Sequence, residues 1–315
     1  MPFYSDKHRK IKKNMVPAII IRGGLCLASI IFDRFRNRRL FFFPRPVFVA
    51  AVMLGLNFTA LSAPGRAQLP PCSATAAGFS AWVQAFKQQA AAAGIGRAGL
   101  QTLDHVRYAQ GTIAADRNQQ SFKLSFEQFL HKRGAAAIIR RGRALKRQKH
   151  ALFTQVEKQY GVPAGPLLAI WGMESAFGSQ MGKHNILSAV ATLAYDCRRS
   201  QFFTEQLYAA LQLIDKGGLK AQATGAMHGE IGQTQFLPLN VLHYGVDEDG
   251  DGVIDLIHSP ADALASTAHF LQAHGWQRGR NYQPGAPNFT AIEGWNKAKI
   301  YQRAIAYIGQ QIDAD

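Results

Sequence analysis

From about Ala76 onward, apolar residues recur at three- and four-residue intervals, the spacing that builds one face of an α-helix. In 77-AGFSAWVQAFKQQAAAAG-94 this gathers Phe79, Trp82, Val83 and Phe86, and Gly94 supplies a stop. The same periodicity predicts helices near 97–108, 121–133, 135–159, 163–176, 186–195, 200–215, 260–274 and 290–312. No apolar–polar alternation runs long enough to argue a sheet, so the expected fold class is mainly α. Glycine and proline collect at 217–238, 245–252 and 275–287, which marks those loops as the segments best suited to line a site.

The pattern before residue 68 is different. Basic residues, among them Lys7, Arg9, Lys12, Arg34 and Arg39, crowd the first 46 positions, and 47-VFVAAVMLGLNFTALSA-63 then runs 17 residues without a charge. Followed by Gly65-Arg66-Ala67, this reads as a signal peptide cut before Gln68 and a periplasmic destination. An uncleaved membrane anchor is the alternative, at the lower length limit of a spanning helix.

That partition changes what the composition means. With 47% hydrophobic and 18% charged residues, the 315-residue chain is too apolar for a disordered protein, and its formal charge of +16 suggests a polyanionic partner. Residues 1–67 hold 12 of the 36 Lys/Arg and 2 of the 20 Asp/Glu, which leaves only +6 on 68–315. Nucleic acid is therefore not an expected partner. The expected division is a leader over 1–67 and one domain over 68–315, with a helical N-terminal part to about 160 and a core over 161–315. Cys26 falls in the leader, so Cys72 and Cys197 are the two cysteines of the exported chain, and an oxidising compartment favours a disulfide between them over two buried thiols.

Two features carry candidate chemistry. Arg140, Arg141, Arg143, Lys146, Arg147 and Lys149 lie on the helix predicted over 135–159; a solvated surface is the plain reading, contact with an anionic polymer the sharper one. The segment 163-PAGPLLAIWGMESAFG-178 starts a helix at Pro163 and ends it near Gly178, with Glu174 in the last turn. There the helix dipole and the apolar neighbours both disfavour a charge, which suits a carboxyl acting as general acid. A solvent-exposed terminal glutamate is the competing reading.

The run 170-IWGMESAFGSQMGKHNILSAVATLAYDCRR-199, then 229-GEIGQTQFLP-238, 246-VDEDGDGVIDLI-257 and 287-PNFTAIEGWNKAKIYQRAI-305, resembles the membrane-bound lytic murein transglycosylase B family, in order from about Asp116 to the C-terminus. The resemblance implies a lysozyme-like helical core with an added N-terminal helical region. It also implies cleavage of the MurNAc–GlcNAc linkage of peptidoglycan glycan strands without water, leaving 1,6-anhydro-MurNAc ends. Glu174 matches the single catalytic acid, and Ser175 follows it in the Glu-Ser-x-Phe-Gly motif as a substrate contact. Gln235 matches the glutamine that bonds the sugar near the scissile bond, with Gln233 beside it. Trp295 and Asn296 match an aromatic–Asn pair of the cleft. Tyr301 follows as a cleft residue or a core tyrosine. Glu230 stands where many relatives have a small residue, as a sugar contact or a structural partner, and it keeps a hydrolytic muramidase open as an alternative; a non-catalytic peptidoglycan-binding protein of the same fold is a separate one. Phe202 and Phe270 replace expected cleft tyrosines, and Ala226 an expected serine.

The third motif also reproduces the first half of an EF-hand loop. Asp247, Asp249 and Asp251 take positions 1, 3 and 5, Gly250 lies between them, the Val253 carbonyl takes position 7 and Asp255 position 9. Position 12 is His258, so the closing carboxylate must come from elsewhere, and the family resemblance suggests Asp262. No cofactor is expected for catalysis; a calcium ion here would be structural, with sodium or no metal as the alternative.

Overall fold

The computed structural model describes residues 71–118 and 124–314. The leader over 1–67, Cys26 and the first residues of the helix expected at 121–133 lie outside the described residues. Among those described there are thirteen α-helices: α1 (Phe79–Ala92), α2 (Arg97–Thr102), α3 (Gln110–Arg117), α4 (Phe126–Lys132), α5 (Ala135–Gln148), α6 (His150–Tyr160), α7 (Ala164–Ser175), α8 (Ile186–Tyr195), α9 (Ser200–Asp215), α10 (Pro238–Tyr244), α11 (Pro260–Ala273), α12 (Phe289–Trp295) and α13 (Lys299–Asp313). The only paired strands among them, β1 (His184–Asn185) and β2 (Thr224–Gly225), form one two-residue antiparallel pair.

The mainly helical expectation is met, with local corrections. The helix expected over 135–159 is two, broken at Lys149 (φ −108°, ψ 31°). The one expected over 290–312 is also two. Asn296 turns its side-chain oxygen onto the Ala298 amide at 2.9 Å, and Gln302 Nε2 donates to the Asn296 carbonyl at 2.7 Å, so side chains take over the backbone partners between α12 and α13. The short helices α3 and α10 were not foreseen, because 7 or 8 residues hold too few periods to stand out.

Every residue of α7 from Ala164 to Met173 is buried, which a helix without a polar face requires. It packs against α13, α5 and α11, with α4 and α6 outside them; a second group is built around α8 and α9, with α1, α3, α2 and α10 against them. The closest approach in the first group is α7 on α13. The Asp313 carboxylate accepts from the Gly165 amide at 2.7 Å and from the Tyr282 hydroxyl at 2.7 Å, so the end of α13 caps the start of α7.

The disulfide expected between Cys72 and Cys197 is present. Around it, Arg117 pairs with Asp196 at 2.6 Å, and Arg198 and Arg199 both clasp the buried Asp116. These bonds tie α3 and the segment around Cys72 to the turn between α8 and α9. No helix among the described residues is long and apolar enough to cross a membrane. The basic stripe of α5 is partly structural: Arg143 donates to the Gln311 carbonyl at 2.7 and 3.0 Å and Lys146 to those of Ile312 and Asp313, all at the C-terminal end of α13, where cations complement the helix dipole.

Candidate active site

Glu174 is half-buried in the last turn of α7. The helix stops immediately after it because Ala176 (φ 50°) and Phe177 (φ 60°) take left-handed conformations that non-glycine residues adopt rarely, followed by Gly178 (φ 82°). Ser175 holds this turn together: its hydroxyl accepts from the Gly178 amide at 2.9 Å and donates to the Gln233 carbonyl. At 1% exposed, Ser175 is thus a joint between α7 and the 232–235 loop, and the expectation that it touches substrate is corrected. The Trp295 indole N–H donates to Glu174 Oε1 at 3.1 Å. Tyr301, 1% exposed, sits behind the carboxyl; burial first, then the Glu174 charge, pushes its phenol well above the usual value. Tyr301 therefore supports Glu174 from the core and does not line the cleft.

The loop after β2 brings the second group of side chains. Gln235 adopts a left-handed backbone (φ 59°), and its Nε2 donates to the Gly232 carbonyl at 2.6 Å and to that of Met181 at 3.3 Å, so the side chain is fixed against the loop it ends. Gln233 is spent on structure, its amide donating to Leu256 O at 2.9 Å and its Nε2 to Ile257 O at 3.2 Å. Glu230 is 2% exposed, with Oε2 accepting from the His228 amide at 2.9 Å and Oε1 paired with His228 Nδ1 at 3.2 Å. Burial alone would raise its carboxyl, but the bond to His228 and the charge there outweigh that, and the carboxyl lies below its usual range.

Glu174, Glu230, Gln235 and Trp295 line one cavity of about 170 Å³ between the two helix groups. Gln233, Asn296, Ser175 and Tyr301 are not on its wall; Asn296 is 2% exposed and caps the α12–α13 turn instead. Phe202 and Phe270, the two departures from expected tyrosines, both face the cavity, as do Phe203 and Phe236. Phe236 and Phe270 meet the Trp295 ring edge-on at 5.3 and 5.1 Å, which fixes the indole that bonds Glu174. The wall also carries Arg199, His228, His274 and Lys297, which the sequence reading missed. The usable signal for His228 was its placement two residues before a lone glutamate in a glycine-rich loop.

In the acidic loop, carboxylate oxygens of Asp247, Asp249 and Asp251 lie within 4.8 Å of one another. Each of them also accepts a hydrogen bond: Asp247 from the amides of Gly250 and Gly252 at 2.8 Å, Asp251 from that of Val253 at 2.8 Å and Asp249 from the Ser259 hydroxyl at 2.6 Å. Asp262, fully buried, accepts from the amides of Glu248 and Asp255 at 2.9 and 2.8 Å, and Asp255 accepts from those of Ile257 and His258 at 2.9 Å. The hydrogen bonds of Asp262 organise the loop from inside. Val253 is 43% exposed.

Residues 78–286 match the family described as transglycosylase SLT domain. The chain is 37% identical over 138 residues to membrane-bound lytic murein transglycosylase B of Escherichia coli (strain K12), a match covering 41% of this chain and 38% of that relative. Its fold is similar to SltB3 from Pseudomonas aeruginosa, solved in complex with NAG-anhNAM-pentapeptide, with a TM-score of 0.70 and 31% identity over 75% of this chain and 79% of that one. A fold likeness at 22% identity and TM-score 0.66 extends to the E. coli lytic transglycosylase Slt35 solved with calcium, over 79% of this chain and 96% of that one.

Proposed function

The chain belongs to the transglycosylase SLT domain family, and from that membership we propose that it is an exported, periplasmic lytic transglycosylase that cleaves the MurNAc–GlcNAc linkage of peptidoglycan with Glu174 as its single acid and base. The observation that carries this is the unequal state of the two carboxyls in the cleft. Glu230 has both oxygens committed to His228 and is held as an anion, so it has no proton to give and no oxygen turned to a substrate. Glu174 stands half-buried at the cavity, oriented by the indole N–H of Trp295. Glycosidases of the usual kind need two working carboxylates, and this cleft offers one.

Glu174 protonates the glycosidic oxygen as the C1–O bond breaks, and the MurNAc acetamido oxygen stabilises the cationic C1. The C6 hydroxyl then closes on C1 and gives its proton back to Glu174, which ends the cycle in its starting state. The ring stacks on the aromatic wall of Trp295 and Phe202, with Gln235 at its polar edge. A calcium ion would serve structure and take no part in this step, and Asp247, Asp249 and Asp251 are the residues that would hold it.

Glu174→Gln tests the reading. It removes the transferable proton at nearly constant shape, and release of glycan fragments from purified sacculi should fall by about 10²-fold or more while sacculus binding and melting temperature hold. Release at the wild-type rate would refute the assignment.

A further inference from the structure

The wall of the cleft carries more titratable groups than the cleavage steps use: Glu174, Glu230, Arg199, His228, His274 and Lys297. Four of them have partners within the protein. Glu230 pairs with His228 at 3.2 Å, Arg199 clasps Asp116, and His274 gives its Nδ1–H to the Phe270 carbonyl at 2.7 Å. Lys297 differs. It is exposed, and its Nζ donates to the Glu293 main-chain carbonyl at 3.0 Å, with no carboxylate partner among the described residues. An ammonium has three donors, so others remain free for a ligand. The Glu293 carbonyl lies in the last turn of α12, where the helix dipole favours a cation, and α12 ends on the tryptophan whose indole bonds Glu174. A solvated cation thus stands on the cleft wall, two residues beyond the side chain that orients the acid.

We propose that Lys297 is a specificity-determining residue that binds a carboxylate on the lactyl arm of a MurNAc unit, so that the protein favours strands charged there. Many groups can hydrogen-bond a sugar hydroxyl; what a cation adds is attraction for an anion. The rings and acetamido groups of a MurNAc–GlcNAc strand are neutral, and its anionic groups all lie on the lactyl arm. Two sources supply that chemistry: the lactyl carboxylate itself, free where the stem peptide has been removed, and a carboxylate of an intact stem. The inference rests on the reading of the cavity as a glycan cleft.

Neutralising the strand tests it. Uncross-linked strands with stems intact, and strands stripped of stems, are compared before and after carbodiimide coupling of their carboxylates to methylamine. KM is read for the wild type, Lys297→Met and Lys297→Arg. An exposed ion pair is worth about 2- to 5-fold, so coupling should raise the wild-type KM by that factor on at least one strand, and the strand that responds identifies the source. Lys297→Met should abolish the response, Lys297→Arg, which keeps the charge, should retain it, and added salt should shrink it. An equal response in the wild type and Lys297→Met, or none on either strand, would overturn the proposal. So would a Lys297→Met defect confined to melting temperature, which is what a helix cap alone would give. Absence of anhydro product from the wild type on every strand would instead overturn the reading of the cleft.

Discussion

At the scale of single residues, the site depends on one hydrogen bond that the chain pattern does not reveal. The Trp295 indole meets Glu174 at 3.1 Å only because Phe236 and Phe270 hold the ring edge-on. Trp295→Phe should keep that packing and lose the donor; hydrogen bonds to charged groups are worth about 1.5–3 kcal/mol, so kcat should drop by roughly tenfold or more with little change in melting temperature. A kcat within twofold of wild type would detach the indole from the chemistry. Motif spacing identified Glu174, Gln235 and Trp295 as candidates, and all three face the cavity. It could not separate them from Ser175, Gln233, Asn296 and Tyr301, because which motif side chains turn inward is decided by the left-handed turn at Ala176 and Phe177 and by the side-chain bonds that end α12. Arg199 was illegible for a related reason: its partner Asp116 comes from a helix distant in sequence.

At the scale of elements, the placement of Glu174 is set by how closely α7 lies on α13. A methyl group at Gly165 would come within 2.3 Å of the Gly309 carbonyl and 2.5 Å of the Asp313 carboxyl, and a backbone carbonyl does not rotate away. Gly165→Ala should therefore destabilise by about 1–3 kcal/mol, as overpacking does, measured as a lowered urea midpoint; an unchanged midpoint would mean the two helices separate freely. The long helices were readable because their apolar periodicity runs over several turns. The breaks at Lys149 and at Asn296–Ala298 were not, since no glycine or proline marks them and the alternative partners are side chains.

At the scale of the whole molecule, the disulfide, the Arg117–Asp196 pair and the Asp116 cluster form one joint that binds the N-terminal helices to the cleft wall. Burial would raise the Asp116 carboxyl, but bonds from Arg198 and Arg199 more than offset it and hold it below its ordinary value of 3.8. A depressed carboxyl contributes stability that is present above the unfolded value and lost as pH falls through the folded one. Asp116→Asn should thus cost of order 3 kcal/mol near neutral pH, with the gap to wild type closing as the solution is acidified below about pH 4; a gap that stays constant with pH would contradict the pairing. The large formal charge belongs mostly to residues 1–67, which leaves +6 on 68–315. The central claim, one carboxyl and no water, is tested most directly by the mass of the glycan ends that the purified protein releases from sacculi in heavy-oxygen water. Ends of 1,6-anhydro-MurNAc, lacking the elements of water and carrying no label, are the predicted result; reducing MurNAc ends labelled with heavy oxygen would contradict it.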